Sequence, residues 1–374
     1  MIHILEILVA FIVGGIFSAM IIPKISLVAF RCRLFDPLSI RKLHTAHIPR
    51  LGGVAFFPCI VVSVSLVIVC HNLCVGYNLL TMELTTRLLT LFSSLFILYL
   101  MGMMDDLIGM RYRSKFAVQI ICSFLLVASG FCLDNFYGLF GIHELPLGVG
   151  VLFTVFIIVY IMNAVNLIDG IDGLASGLSM IAFFFFGSMF IYLNWWMYAL
   201  IAFAALGVLL PFFYYNVFGQ INRGRKVFMG DTGSLTIGLL LAVMAIRLSM
   251  CDPVKDNLFP RAVAVAFSFL LVPMLDVARV MLHRFRNRQP LFLPDKNHIH
   301  HKFIALGMSQ RQAMVSIMGI SFFFVLTNVG LVHCMGITAL FVLDVAVWTL
   351  MHIYITRKIK KDYRLKSPFD RIVK

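Results

Sequence analysis

Five polar clusters interrupt an otherwise apolar chain, and each carries residue types that handle phosphate or a divalent cation. The first is Met103-Met104-Asp105-Asp106-Leu107. Adjacent carboxylates at the edge of an apolar run repel each other and persist when a cation, a basic group or a proton offsets their charge. Alone, the pair reads first as two solvated acids at a helix end. The second runs from Asn163 to Gly173, as Asn163-Ala164-Val165-Asn166-Leu167-Ile168-Asp169-Gly170-Ile171-Asp172-Gly173. Asn163 and Asn166 are three apart and share a helix face, and Asp169 and Asp172 repeat the spacing. Gly170 and Gly173 let backbone approach a ligand closely. Two amides and two carboxylates without a Lys or Arg among them suit a divalent cation and its phosphate ligand; a polar turn with caps is the plainer reading.

The third cluster, Val227-Phe228-Met229-Gly230-Asp231-Thr232-Gly233-Ser234, opens an apolar run. Asp231 is placed to cap that helix, and a helix N-terminus also favours phosphate. Arg223, Arg225 and Lys226 lie just upstream. The fourth, Pro294-Asp295-Lys296-Asn297-His298-Ile299-His300-His301-Lys302, groups three histidines without a Cys. Zinc sites usually space their ligands more widely, so His298, His300 and His301 read first as phosphate contacts and next as a plain polar loop. The fifth, Arg41-Lys42-Leu43-His44-Thr45-Ala46-His47-Ile48-Pro49-Arg50-Leu51-Gly52-Gly53, either grips a phosphate through His44 and Arg50 or only supplies positive charge.

Taken together, carboxylates for a metal seat and basic loops around them form an inventory for phosphoryl transfer, where catalysis is largely positioning and charge neutralisation. No GxxxxGKS loop and no kinase signature is present.

The elements that position these clusters are membrane spans. Hydrophobic residues make up 61% of the 374 and charged residues 13%, against about 25% charged in a soluble domain. Eleven apolar stretches are long enough to span, at about 4–30, 53–71, 84–103, 115–133, 147–166, 173–193, 196–216, 232–250, 261–282, 312–333 and 336–356. The net charge of +14 does not point to nucleic acid, because the basic residues fall in short blocks between spans. Of the 31 Lys and Arg, 25 lie in one alternate set of loops and only Lys255 and Arg261 in the other. The positive-inside rule assigns the first set, with all five clusters, to the cytoplasm. The expected architecture is an all-α polytopic bundle of about eleven transmembrane helices, N-terminus outside and C-terminus cytoplasmic. It forms one catalytic unit over 1–356, with a basic tail over 357–374 that suits anionic lipid heads. The first stretch carries Glu6 and no basic leader region, so it is expected to stay as an uncleaved span. The eight Cys form no CxxC pair and read as packing residues.

At this point the motifs RKLHTAHIPRLGG, MMDDL, NAVNLIDGIDGLASG, VFMGDTGSL and HIHH become recognisable. In their order and spacing the chain resembles the polyprenyl-phosphate N-acetylhexosamine-1-phosphate transferases. The similarity is greatest to the branch that initiates bacterial surface polysaccharides. The resemblance implies transfer of a sugar-1-phosphate, most simply GlcNAc-1-phosphate, from a UDP-N-acetyl sugar to undecaprenyl phosphate, with UMP released and Mg2+ or Mn2+ required. It implies a bacterial inner-membrane location with the active site cytoplasmic. By the same resemblance Asp231 and Asn166 are metal ligands, and Asp105 and Asp106 handle the lipid phosphate. Asp169 and Asp172 wall the nucleotide side, with Asn163 also on the substrate side. Phe228 lies near the uracil, and His300 and His301 contact the pyrophosphate. Two features depart from the family. The link from Asn216 to Lys226 is long and basic, leaving the uridine contact open between Asn216 and Asn222. Lys302 follows His301 where the peptidoglycan-precursor branch tends to carry a third consecutive histidine.

Two mechanisms fit: in-line attack by the lipid phosphate, or a covalent aspartyl-phosphate. Two other readings compete, a phospho-MurNAc-pentapeptide translocase-type enzyme and a multi-span transporter. The feature that most favours the transporter is Asp344, a membrane-depth acid with no partner evident in the sequence. The oligomeric state is open, a homodimer included.

Overall fold

The computed structural model describes residues 2–32, 49–75, 81–220, 224–250, 262–290 and 297–366. Helix α1 spans Ile2–Arg31. A short 3-10 turn, Gly52–Ala55, runs into α2 over Phe56–Val75. Then follow α3 over Met82–Ile108 and α4 over Tyr112–Ala128. A hairpin of β1, Asn135–Leu139, and β2, Ile142–Glu144, leads to α5 over Leu147–Ile168. Next come α6, Leu174–Tyr192, α7, Trp196–Phe218, and α8, Gly230–Ser249. The chain closes with α9, Ala262–Ser268, α10, Leu271–Arg286, α11, Ile299–Ala305, α12, Gln310–Leu331, and α13, Ile337–Lys366.

Each of the eleven expected stretches coincides with a helix or helix pair. Among the described residues, nine helices are long and apolar enough to cross a membrane, or ten if the bent pair α9–α10 is one span. Helix α4 has 17 residues, just short of that length. The chain is thus an integral membrane protein built from helices, with the β1–β2 hairpin as an addition that the all-α expectation omitted. The stretch 261–282 is not one straight span: α9 and α10 meet at 75°. Pro273 explains the break. It lacks the N–H that a continuous helix would need, and it is tolerated in the first turn of α10. Helix α13 also runs past residue 356, so the basic stretch begins as helix rather than as a separate tail.

Helix α8 is the centre of the bundle. Its sequence is apolar all round, as a helix without a lipid-facing side must be, and 94% of its apolar window is buried against 22% in α1. It packs on α3, α5, α6 and α9. Small residues allow the close approach: a Cβ on Gly238 would stand 2.8 Å from Met162 Cα of α5, and one on Gly102 of α3 would stand 2.5 Å from Thr232 Cα. Asp344 does have a partner, because Asn328 of α12 donates to it at 3.0 Å.

Candidate active site

The site begins with a β-like pairing of two motifs distant in sequence. Phe228 N–H donates to Pro49 O at 2.9 Å. Gly52 and Gly53 N–H donate to Phe228 O and Met229 O, each at 3.0 Å. Gly53 lies so close to Gly233 that no side chain could fit between them. This contact draws Arg50 and Phe228 to the start of α8. Gly230 takes φ +71° there, and a Cβ on it would run into Arg50 O and the Asp106 carboxylate.

Asp106 caps α8. Its Oδ1 accepts from Asp231 N–H at 2.8 Å, and its Oδ2 accepts from Thr232 N–H at 2.9 Å and Thr232 Oγ1 at 2.6 Å. The expectation that Asp231 caps its own helix is corrected: no side chain of the helix's own N-cap residue serves it, and an acid from α3 takes the exposed N–H groups instead. Asp231 is thereby free to point elsewhere. Its Oδ1 accepts from Asn166 Nδ2 at 3.1 Å, and its Oδ2 lies 2.6 Å from Lys115 Nζ. Lys115 also lies 2.5 Å from Asp105 Oδ2, while Asp105 Oδ1 accepts from Met110 N–H at 2.7 Å. Asn166 further donates to Ser234 Oγ at 2.8 Å.

The carboxylates of Asp105, Asp106 and Asp231 each offer an oxygen within 4.8 Å of the others. An all-oxygen donor set of this kind suits a hard cation such as Mg2+ or Mn2+. Asp105 and Asp231, with Asn166 beside them, are best placed to hold it, because the N–H groups of α8 already occupy both Asp106 oxygens.

The glycine-rich turn after α5 forms the adjoining wall. Asn216, buried at the end of α7, accepts from Gly173 N–H at 2.6 Å and donates to Val227 O at 2.8 Å. It ties the Asp169–Gly173 turn to the segment leading into α8. Lys226 pairs with Asp172 at 2.5 Å. Asp169 is half-buried as a residue, and desolvation of its carboxyl together with the charges of Asp172 and Asp231 pushes its pKa up to about 7, with Arg50 pulling the other way. Asn163 sits one turn back and donates to Gln119 of α4 and to Val159 O, each at 2.7 Å. These bonds run to α4 and α5 rather than to the acids.

The histidine turn packs against the glycine-rich turn. Asp276 of α10 anchors it, lying 2.8 Å from His298 Nδ1 and accepting from Ile299 N–H at 3.0 Å. Arg279 holds the same carboxylate at 2.9 Å. His300 then packs directly on Gly170, where any Cβ would collide with its ring. Its Nδ1 has no hydrogen-bond partner among the described residues. Burial and the neighbouring His301 and His298 lower its pKa to about 3, so it acts as a neutral imidazole. The rings of His300 and His301 lie 4.2 Å apart. Lys302 turns away, with Nζ 3.0 Å from Thr356 Oγ1 of α13.

The fold thus gathers Asp105, Asp106, Asn166 and Asp231 at the start of α8, with Asp169, Asp172 and Arg50 close by, His300 packed on Gly170, and the Phe228 backbone paired to Pro49 and Gly52. His298 serves as the link to Asp276. His44 lies outside the described residues. Sequence reasoning missed two contributors. By sequence Lys115 is one more basic residue beside a span, and Asp276 stands three residues from Arg279 with which it can pair along a helix. Neither has a local signature; the depth of Asp276 in an apolar run was the one available hint.

These features define an integral membrane protein with three carboxylates converging at the start of a buried helix. Residues 88–249 match glycosyl transferase family 4. The chain is 31% identical over 328 residues to a probable undecaprenyl-phosphate N-acetylglucosaminyl 1-phosphate transferase of Bacillus subtilis, covering 87% of this chain and 85% of that protein. It is 29% identical to the Yersinia pestis undecaprenyl-phosphate alpha-N-acetylglucosaminyl 1-phosphate transferase and 28% to that of Escherichia coli K12, each over 78% of this chain and 74% of the relative. The chain belongs to glycosyl transferase family 4, in the branch these relatives represent.

Proposed function

We propose that this protein transfers N-acetylglucosamine-1-phosphate from UDP-N-acetylglucosamine to undecaprenyl phosphate, releasing UMP. The observation that carries the reading is the convergence of Asp105, Asp106 and Asp231 within ligand distance at the end of α8. The similarity to the Bacillus subtilis transferase extends over nearly the whole chain and supports it. An oxygen of the lipid phosphate attacks the sugar-bearing phosphorus. The bond from that phosphorus to the bridging oxygen breaks, and UMP leaves with that oxygen.

Asp105, Asp231 and Asn166 would hold Mg2+ or Mn2+, which neutralises pyrophosphate charge when bound. Asp106 positions Asp231 by fixing the start of α8. Asp169 and Asp172 line the nucleotide side, with Phe228 beside the base and Arg50 near the phosphates. His300, as a neutral imidazole, and its neighbour His301 offer hydrogen bonds to the pyrophosphate.

The site faces the cytoplasm: by sequence, 25 of the 31 basic residues belong to the alternate set of segments that carries its motifs, and the positive-inside rule assigns that set to the inside. Counting α4 and the bent pair, the chain crosses a bacterial inner membrane eleven times, with its N-terminus outside. It forms one catalytic unit ending in a basic C-terminal stretch. Purified protein given UDP-N-acetylglucosamine and undecaprenyl phosphate should release UMP, stop with a chelator and resume with Mg2+. A panel of UDP-sugars tests the donor. Absence of UMP release with every donor would sink the reading.

A further inference from the structure

A second cluster of ligand-type side chains lies at the opposite end of the bundle. Helix α2 starts at the acidic cluster, where Gly52 and Gly53 of the 3-10 turn before it bind the segment leading into α8. It ends near His71, packed antiparallel to the first turns of α1. Ser63 Oγ donates to Ala10 O at 2.7 Å, and two turns further on His71 meets Glu6. His3 and Glu6 are three apart and share one face of α1.

His3 Nδ1 lies 2.9 Å from Glu6 Oε2, and His71 Nδ1 lies 2.5 Å from Glu6 Oε1. The ligand atoms of all three residues lie within 4.8 Å of one another. The His71 side chain is fully buried, Glu6 is 13% exposed and His3 20%. His3 stacks on Trp196 of α7 at 4.8 Å, which fixes the direction of its ring.

Two imidazoles that present Nδ1 to opposite oxygens of one carboxylate form a His2Glu donor set. That set suits zinc-class cations, with a fourth position for water, and is a poor match for the oxygen-seeking Mg2+. Ligands at about 2.0 Å around a tetrahedral ion stand about 3.3 Å apart. Opening the two contacts by less than about 1 Å would therefore admit one. We propose that His3, Glu6 and His71 form a site for a divalent cation of the zinc class, which ties α1 to α2 at the end of the protein remote from the transfer chemistry.

The test uses the full, untagged chain in detergent, stripped of metal, saturated with Mg2+ and titrated with Co2+. The proposal expects one Co2+ per chain with a tetrahedral absorption spectrum, displaced by Zn2+. His3→Ala and Glu6→Gln should weaken binding by at least about tenfold, while Asp231→Asn should retain the spectrum. Transferase activity should survive His3→Ala. A wild-type protein that takes up no Co2+, or a Glu6→Gln protein that binds it with unchanged affinity and spectrum, overturns the proposal and leaves a hydrogen-bonded trio only. Should His71→Ala fail to fold, the other two variants read the same quantity.

Discussion

Lys115 joins Asp105 to Asp231, with its Nζ 2.5 Å from one carboxylate and 2.6 Å from the other. One ammonium thus offsets two acids that would otherwise repel across the α3–α8 contact, and it stands where the proposed divalent cation would bind. The lysine and the proposed cation would therefore compete. Lys115→Met should lower the melting temperature of the metal-free protein and shift the Mg2+ midpoint for stabilisation several-fold to lower concentration. An unchanged midpoint together with an unchanged melting temperature would remove the competition from the account.

Asp231 and Asp106 should fail in different ways. Asp231→Ala should abolish turnover while the protein still inserts and folds, because Asp231 holds no part of the helix cap. Asp106→Ala removes the acceptor for two backbone N–H groups and one hydroxyl, so it should cost about 1 kcal/mol of stability as well as activity. Thermal melts beside UMP-release assays separate the two. An Asp106→Ala protein with wild-type stability would contradict its capping role.

Gly170→Ala is expected to damage catalysis more than folding. The added methyl must displace the His300 ring. A shift of about 1 Å at a catalytic group can cost about 10²-fold in rate. The measurement is kcat against KM for the variant, and a near-wild-type kcat/KM would show that His300 is dispensable where it stands.

Asp169 should confer a pH dependence. Its carboxyl is pushed up to about 7, well above the ordinary value near about 3.9. The folded protein therefore keeps a proton that the unfolded chain releases at lower pH, so this group makes stability fall as pH rises from about 4 to about 7. Asp169→Asn should flatten that slope in melting temperature and remove a limb near neutrality from the rate profile. His300, lowered to about 3, contributes no limb there. A slope identical in the variant would assign the titration elsewhere.

Much of the fold is legible from hydropathy, since every long apolar stretch became a helix and the described parts of the polar clusters fell at or beside helix ends. The motifs announced Asp105, Asp106, Asn166 and Asp231 because their types and spacing are local properties. What escaped depends on long-range geometry. The cap on α8 comes from an acid 125 positions away, and nothing near Asp231 signals that its own capping role is taken. Lys115 resembles any juxtamembrane lysine until α3 and α8 meet. Asp276 reads as an i, i+3 partner of Arg279 until the chain bends at Pro273 and the histidine turn folds over it.

The near-complete burial of α8 has a consequence for how the protein sits in its bilayer. A lipid-facing helix tilts or bends when the hydrocarbon layer thickens or thins, and α1 is such a helix. The helix that carries Asp231 is walled off by protein, so α1 and other lipid-facing helices absorb the mismatch first. Turnover measured in vesicles of short-chain and long-chain lipids should therefore vary less than the tilt of α1 does.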